Sequence, residues 1–158
     1  MHRHPITPEG YARLLADLTE HRHVLRPKVV QDIEEARAHG DISENAEFED
    51  AKERQALLEG RIAWLETQLA GADIIDVTKL QAKGQVVFGS TVLLENADTG
   101  EERTLRIVGE PEADASNGTI SLGSPFAQAI LGRSEGDEAN VPTPSGKQLW
   151  EIVEVRYV

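Results

Sequence analysis

Apolar positions fall into two regimes along the chain. Tyr11, Leu14, Leu18, Leu25, Val29, Ile33 and Ala36 recur at helical spacing, and Leu15 and Val30 widen the stripe. The smaller or apolar positions Phe48, Ala51, Gln55, Leu58, Ile62, Leu65, Leu69 and Ala72 then repeat at steps of three and four, the spacing of a heptad seam. Between the stripes lies Gly40-Asp41-Ile42-Ser43-Glu44-Asn45-Ala46-Glu47-Phe48. Gly40 is a natural stop for one helix and Asp41 a natural cap for the next. The pattern therefore predicts two antiparallel helices packed seam to seam, with this segment at their tip.

Local signals place the ends. Thr7-Pro8-Glu9 offers a hydroxyl cap, a proline at the first helical position and an acid near the positive end of the dipole. The first helix should run from near Pro8 to about Ala38, ~45 Å at 1.5 Å per residue, with a kink at Pro27 where a backbone donor is missing. The second should run from about Ser43 to Ala70, with Gly71 as its stop.

From Asp73 to Gly84 the helical period is lost and Ile74-Ile75-Asp76-Val77 reads as an extended connector. Beyond it the period changes. Val86–Phe88, Thr91–Glu95, Arg103–Val108, Thr119–Leu122, Asn140–Val141 and Gln148–Tyr157 read as strands, with turns at Asp98-Thr99-Gly100, Ser116-Asn117-Gly118 and Pro144-Ser145-Gly146. Pro125 to Leu131 reads as one short apolar helix capped by Ser124. Ile130 is expected in the core; Phe126 and Leu131 fit either a core or a docking surface. The class is α+β: a helical hairpin over residues 1–76, with its tip at 40–45, and a mixed, mostly antiparallel sheet domain over residues 77–158.

Composition narrows the possibilities. With 158 residues and 39% apolar content the chain can form one large or two small globular domains. No apolar run is long enough to span a membrane, and the charged start Met1-His2-Arg3-His4 lacks the apolar core of a secretion signal. The absence of cysteine excludes disulfides and thiolate zinc sites. A cytoplasmic protein is expected. The five histidines are expected on the solvated surface, His2 and His4 in a disordered end.

Charge says more. Residues 1–76 hold 9 Lys/Arg against 16 Asp/Glu, and residues 77–158 hold 7 against 12, so both halves share in the net charge of −12. Such a chain repels bare nucleic acid, and any nucleic-acid function must come through a protein partner or a local basic patch.

Asp41 and Glu44 have the spacing of a capping box with an acid in the first position. The same spacing holds two carboxylates at an exposed tip, a weak hard-cation site that a second molecule could complete. The two readings compete for the oxygens of Asp41. Arg37, Lys52 and Arg54 stand within a few turns of the tip, either as ordinary partners of Glu49, Asp50 and Glu53 or as a small patch for a phosphate backbone.

The tip segment, together with Ile75-Asp76-Val77, Phe88-Gly89-Ser90-Thr91-Val92, Arg106-Ile107-Val108-Gly109 and Ser124-Pro125, resembles the bacterial Gre transcript-cleavage factors, and the GreA branch of that family more than the GreB branch. The resemblance runs over essentially the whole chain. It implies an N-terminal coiled-coil hairpin and a C-terminal domain of FKBP-like fold. In that family the C-terminal domain docks at the rim of the RNA polymerase secondary channel while the hairpin enters it. The tip acids then help hold a second Mg2+ and a water in the polymerase's own site, where backtracked RNA is cut.

Carried onto this chain, the resemblance makes Asp41 and Glu44 the acids that bind metal and support cleavage. It makes Arg37, Lys52 and Arg54 the basic residues that contact RNA, and Ser124, Pro125 and Ala127 the docking segment. It implies an accessory factor, expected to be a monomer, that activates the polymerase without being an enzyme itself. Lys52 stands where arginine is usual, losing the planar fork, and Phe48 where tyrosine is common, losing a hydroxyl. Two other readings remain: a channel-binding inhibitor on the same scaffold, and a prolyl isomerase. The isomerase needs an apolar pocket with aromatic walls, for which residues 77–158 offer only Phe88, Phe126, Trp150 and Tyr157.

Overall fold

A computed structural model describes the backbone of residues 3–39 and 42–158, and the side chains of all of these but 39 and 42–44. The chain forms two compact units, residues 11–71 and residues 1–10 together with 72–158. The expected boundary is 76/77; by contacts, residues 3–10 and 72–76 group with the sheet-bearing unit.

In the helical unit, α1 (Pro8–Glu20) leads into a π-helical segment, His21–Leu25, then α2 (Arg26–His39) and α3 (Ile42–Ala70). Just before Pro27, where a kink is expected, the chain carries this π segment. Arg26 N–H bonds to the carbonyl of His21, five residues back, immediately before the proline that can donate nothing. Leu14, Leu18, Val29 and Ala36 on one side and Ala51, Ile62 and Leu65 on the other are buried as the seam predicts. Leu15 and Val30 are exposed and do not widen it. Ala72 lies beyond α3, in a strand.

So narrow a seam is supplemented at its edges. Asp17 pairs with Arg61 at 2.8 Å, Arg22 with Glu66 at 3.0 Å, and Asp32 with Arg54 at 3.1 Å. Arg26 grips Glu59 through two bonds of 2.8 and 2.6 Å. The Arg26 guanidinium holds the Glu59 carboxyl below its ordinary value. Each pair is exposed and individually weak; what they fix is the antiparallel register.

The other unit is built on a five-stranded sheet. After β1 (His4–Ile6) and β2 (Ala72–Ile74), which pair in parallel, come β3 (Thr91–Asn96), β4 (Glu102–Val108), β5 (Thr119–Ser121), α4 (Pro125–Ile130), β6 (Glu138–Thr143) and β7 (Gly146–Arg156). The order across the sheet is β5-β4-β3-β7-β6, antiparallel except for β4–β5. Val92, Leu94, Ile107, Trp150 and Ile152 face a core closed by Ala127 and Ile130 of α4. Phe126 and Leu131 are partly buried against that core.

Two departures from expectation have plain causes. Val86–Phe88 forms no strand; Val86 exchanges bonds with Arg133 and Gly132, and Ser90 Oγ accepts from Val87 N–H at 3.1 Å, curling the segment into a turn. β1 and β2 replace the disordered start and the simple connector. His4 is therefore half-buried, with Nε2 enclosed and unpartnered, and His21 is half-buried too, its Nδ1 2.8 Å from the Asp17 carbonyl.

The turns follow from side chains. Asn96 is buried and its Oδ1 accepts from the N–H groups of Asp98 and Thr99 at 2.9 and 3.1 Å, shaping the β3–β4 loop that Gly100 completes at φ 74°. Ser124 caps α4, accepting from Ala127 N–H at 3.2 Å.

Candidate functional site

α2 ends at His39 and α3 begins at Ile42, so of the expected tip segment the described backbone holds only the part from Ile42 onward, already helical. Asp41 lies outside the described residues. Glu44 sits in the first turn of α3 by its backbone, and its side chain is likewise outside them. The expected capping box and the expected cation site both involve those atoms. Among the described residues, no group of three or more His, Asp or Glu could hold a metal ion.

The cations around the turn are held in three different ways. Arg54 donates from Nη1 to Asp32 at 3.1 Å and from Nε to Asp50 at 3.2 Å, which raises its own pKa, first through the bond to Asp32. It borders a shallow polar groove lined by Asp32, Glu35, Ala36, Glu47 and Asp50. Arg54 is thus an interhelical clasp in acidic surroundings, and the structure does not gather it with Arg37 and Lys52 into one basic patch. Lys52 is exposed and donates to Gln55 Oε1 at 3.4 Å. Arg37 places its guanidinium 6.0 Å from the centre of the Phe48 ring, across the hairpin.

The expected docking segment divides. Pro125 is exposed, the Ser124 hydroxyl is engaged as a cap, and Ala127 is 0% exposed at the heart of the core. The methyl of Ala127 packs the fold and is in no position to touch a partner, which corrects its assignment to docking. The aromatic residues that an isomerase pocket would need are spent similarly. Trp150 is fully buried, Phe126 packs against it at 5.7 Å between ring centres, Phe88 is buried, and Tyr157 lies against the same core.

Sequence reading passes over a buried carboxylate. Glu112, 7% exposed, accepts from the backbone N–H groups of Thr7 and Gly109, both at 2.9 Å, and from the Thr7 hydroxyl. Thr7 Oγ1 in turn accepts from Gly10 N–H at 3.0 Å, the cap that the sequence predicts. The signal was available in the glycines: Gly10 occupies the first turn of a helix, where a side chain ordinarily fits. A Cβ there would lie 2.1 Å from Glu112 Oε1, and one on Gly109 would lie 2.5 Å from the Pro5 carbonyl oxygen.

One unit of paired helices and one built on a small mixed sheet define the architecture. Residues 4–74 match the family model for the N-terminal domain of transcription elongation factors, and residues 81–157 match that for the GreA/GreB C-terminal domain. The chain belongs to the GreA/GreB family of transcription elongation factors. Within it, transcription elongation factor GreA of Francisella tularensis subspecies novicida is 50% identical over 155 residues, covering 98% of this chain and 97% of that protein. GreA of Francisella tularensis subspecies holarctica matches with the same figures.

Similar solved structures include GreA factor homolog 1 of Thermus thermophilus, 30% identical over 98% of this chain and 99% of its own, with a TM-score of 0.44. A GreA/GreB factor of Nitrosomonas europaea is 23% identical over 99% of this chain and 100% of its own, again with a TM-score of 0.44.

Proposed function

We propose that this elongation factor is an accessory protein of bacterial RNA polymerase that enters the secondary channel with its hairpin and stimulates cleavage of backtracked RNA by the polymerase's own active centre. The factor works in the cytoplasm, as a monomer, and makes no covalent change by itself. The observation that supports the reading is the match of both halves of the chain to the GreA/GreB family, in a sequence that sets Asp41 and Glu44 between the end of α2 and the first turn of α3.

The chemistry of the donor set agrees. Two carboxylates are hard oxygen ligands suited to Mg2+, yet two are too few to satisfy an octahedral ion, so the site is completed only in company. A second metal supplies, when bound, charge stabilisation for the attacking and leaving oxygens of a phosphoryl transfer. The part played by this chain is to bring Asp41 and Glu44 to that place, to raise the metal's occupancy and to hold a water in line. Arg37 and Lys52 meet the RNA phosphates beside them. Arg54 instead keeps the two helices in register behind the turn. The exposed edge of α4 at Pro125 meets the polymerase rim.

The net charge of −12 fits the same picture, because an acidic hairpin is drawn to a channel that carries cations and is kept off free nucleic acid. The test is RNA cleavage in a stalled, backtracked elongation complex, comparing wild type with Asp41→Asn and Glu44→Gln while polymerase binding is measured in parallel. Variants that bind yet fail to stimulate cleavage support the reading. A wild-type protein that binds and suppresses both cleavage and synthesis replaces it with the inhibitor.

A further inference from the structure

In the sequence Phe48 stands four residues after Glu44 and Arg37 four residues before Asp41. Their side chains meet across the hairpin, with the Arg37 guanidinium 6.0 Å from the ring centre. Phe48 is half-buried and Arg37 exposed. The ring is therefore partly covered, with the Arg37 guanidinium over its face.

This hold differs in kind from that on the neighbouring cation. Arg54 is bonded to two carboxylates, which neutralise it and occupy its donors. An aromatic face attracts a guanidinium through its quadrupole but adds no negative charge and takes none of the in-plane N–H groups. Among the described residues, the partner of Arg37 is thus one that fixes the cation's place and leaves its fork able to receive an anion.

We propose that Phe48 is a positioning residue: its ring holds the Arg37 guanidinium beside the hairpin turn, in place for an RNA phosphate at the moment of cleavage. The inference rests on the cleavage function set out above. It also accounts for the departure at this position, since the face of the ring, and not a hydroxyl at its edge, carries the interaction.

The test pairs a kinetic and a spectroscopic readout on the full-length protein. Cleavage of backtracked RNA is followed against factor concentration for wild type, Phe48→Leu, Phe48→Tyr, Arg37→Ala and Phe48→Leu/Arg37→Ala, with circular dichroism to confirm that each variant is folded. An exposed cation–ring contact predicts that Phe48→Leu lowers the maximal rate about two- to five-fold. The half-saturating concentration of factor stays unchanged, because binding to polymerase is not what the ring supports. Phe48→Tyr restores the wild-type rate, and the double variant is no slower than Arg37→Ala alone.

In the free protein, the Arg37 side-chain proton resonances carry a ring-current shift that Phe48→Leu removes and Phe48→Tyr keeps. Undiminished cleavage by Phe48→Leu, or a double variant whose loss is the product of the two single losses, overturns the positioning role and leaves the cleavage function standing. No stimulation by wild type overturns the cleavage function and the positioning role together, while the ring-current shift still reports whether the two side chains meet.

Discussion

Gly10→Ala should destabilise this protein although alanine is the better helix former. On an unobstructed helix the change is worth about 1 kcal/mol in favour of alanine. Gly60, inside α3 with nothing within 4 Å of where a Cβ would stand, offers that case within the same molecule. At Gly10 the new methyl would stand 2.1 Å from Glu112 Oε1 and 2.5 Å from its Cδ, so the carboxylate must leave its place. Its departure strips acceptors from the N–H groups of Thr7 and Gly109. A buried donor left unpaired costs about 1–3 kcal/mol, so two outweigh the gain of about 1 kcal/mol in propensity and the net loss is about 1–5 kcal/mol. The assay is thermal unfolding of Gly10→Ala and Gly60→Ala beside wild type, with amide hydrogen exchange at Thr7 and Gly109 to locate the damage. Gly60→Ala should raise the midpoint, and Gly10→Ala should lower it with faster exchange at those two amides. A Gly10→Ala protein as stable as wild type would refute the clamp assigned to Glu112.

Two further predictions concern charge. The strand registers place Glu102, Glu95, Glu151 and Glu138 side by side across β4, β3, β7 and β6, and like charges directly opposite one another cost stability. Glu151→Gln should therefore stabilise the sheet by roughly 0.5 kcal/mol at low salt, and the gain should fade at high salt; a destabilised variant at low salt contradicts the register. The Asp76 carboxyl is held below its ordinary value of 3.8 by the hydroxyl and then the N–H of Thr78. A depressed carboxyl stabilises the fold above its unfolded value and loses that contribution as pH falls through the folded one. An NMR titration should place the Asp76 midpoint below 3.8 in wild type and move it upward in Thr78→Val; a wild-type midpoint at or above 3.8 removes the cause assigned here.

How far the sequence reaches depends on how much of the chain each signal spans. The hairpin was legible because its seam repeats over many turns, and Leu14, Leu18, Ile62 and Leu65 are buried as the period requires. Leu15 and Val30, one position after seam residues, share their composition but point outward, and periodicity alone does not separate them. The three-residue strands β1 and β2 are too short to show any period. Val86–Phe88 has strand composition, yet the Ser90 hydroxyl bonds its backbone into a turn. Ala127 looked like part of a docking segment because its neighbours Ser124 and Pro125 carry the motif, but a helix of six residues laid on a sheet turns one face, Ala127 and Ile130, into the core. Glu112 needs a partner 105 residues away, and no local pattern announces it.

The central claim, that Asp41 and Glu44 act by supplying oxygens to a shared metal, is tested most directly by the magnesium dependence of stimulated cleavage. Backtracked complexes saturated with wild type, Asp41→Asn or Glu44→Gln are titrated with Mg2+ and the cleavage rate is followed. Loss of a carboxylate ligand predicts a half-activating magnesium concentration raised severalfold, with part of the rate recovered at excess metal. An unchanged half-activating concentration, with only the plateau lowered, would contradict metal binding by the tip and return Asp41 and Glu44 to the role of a helix cap.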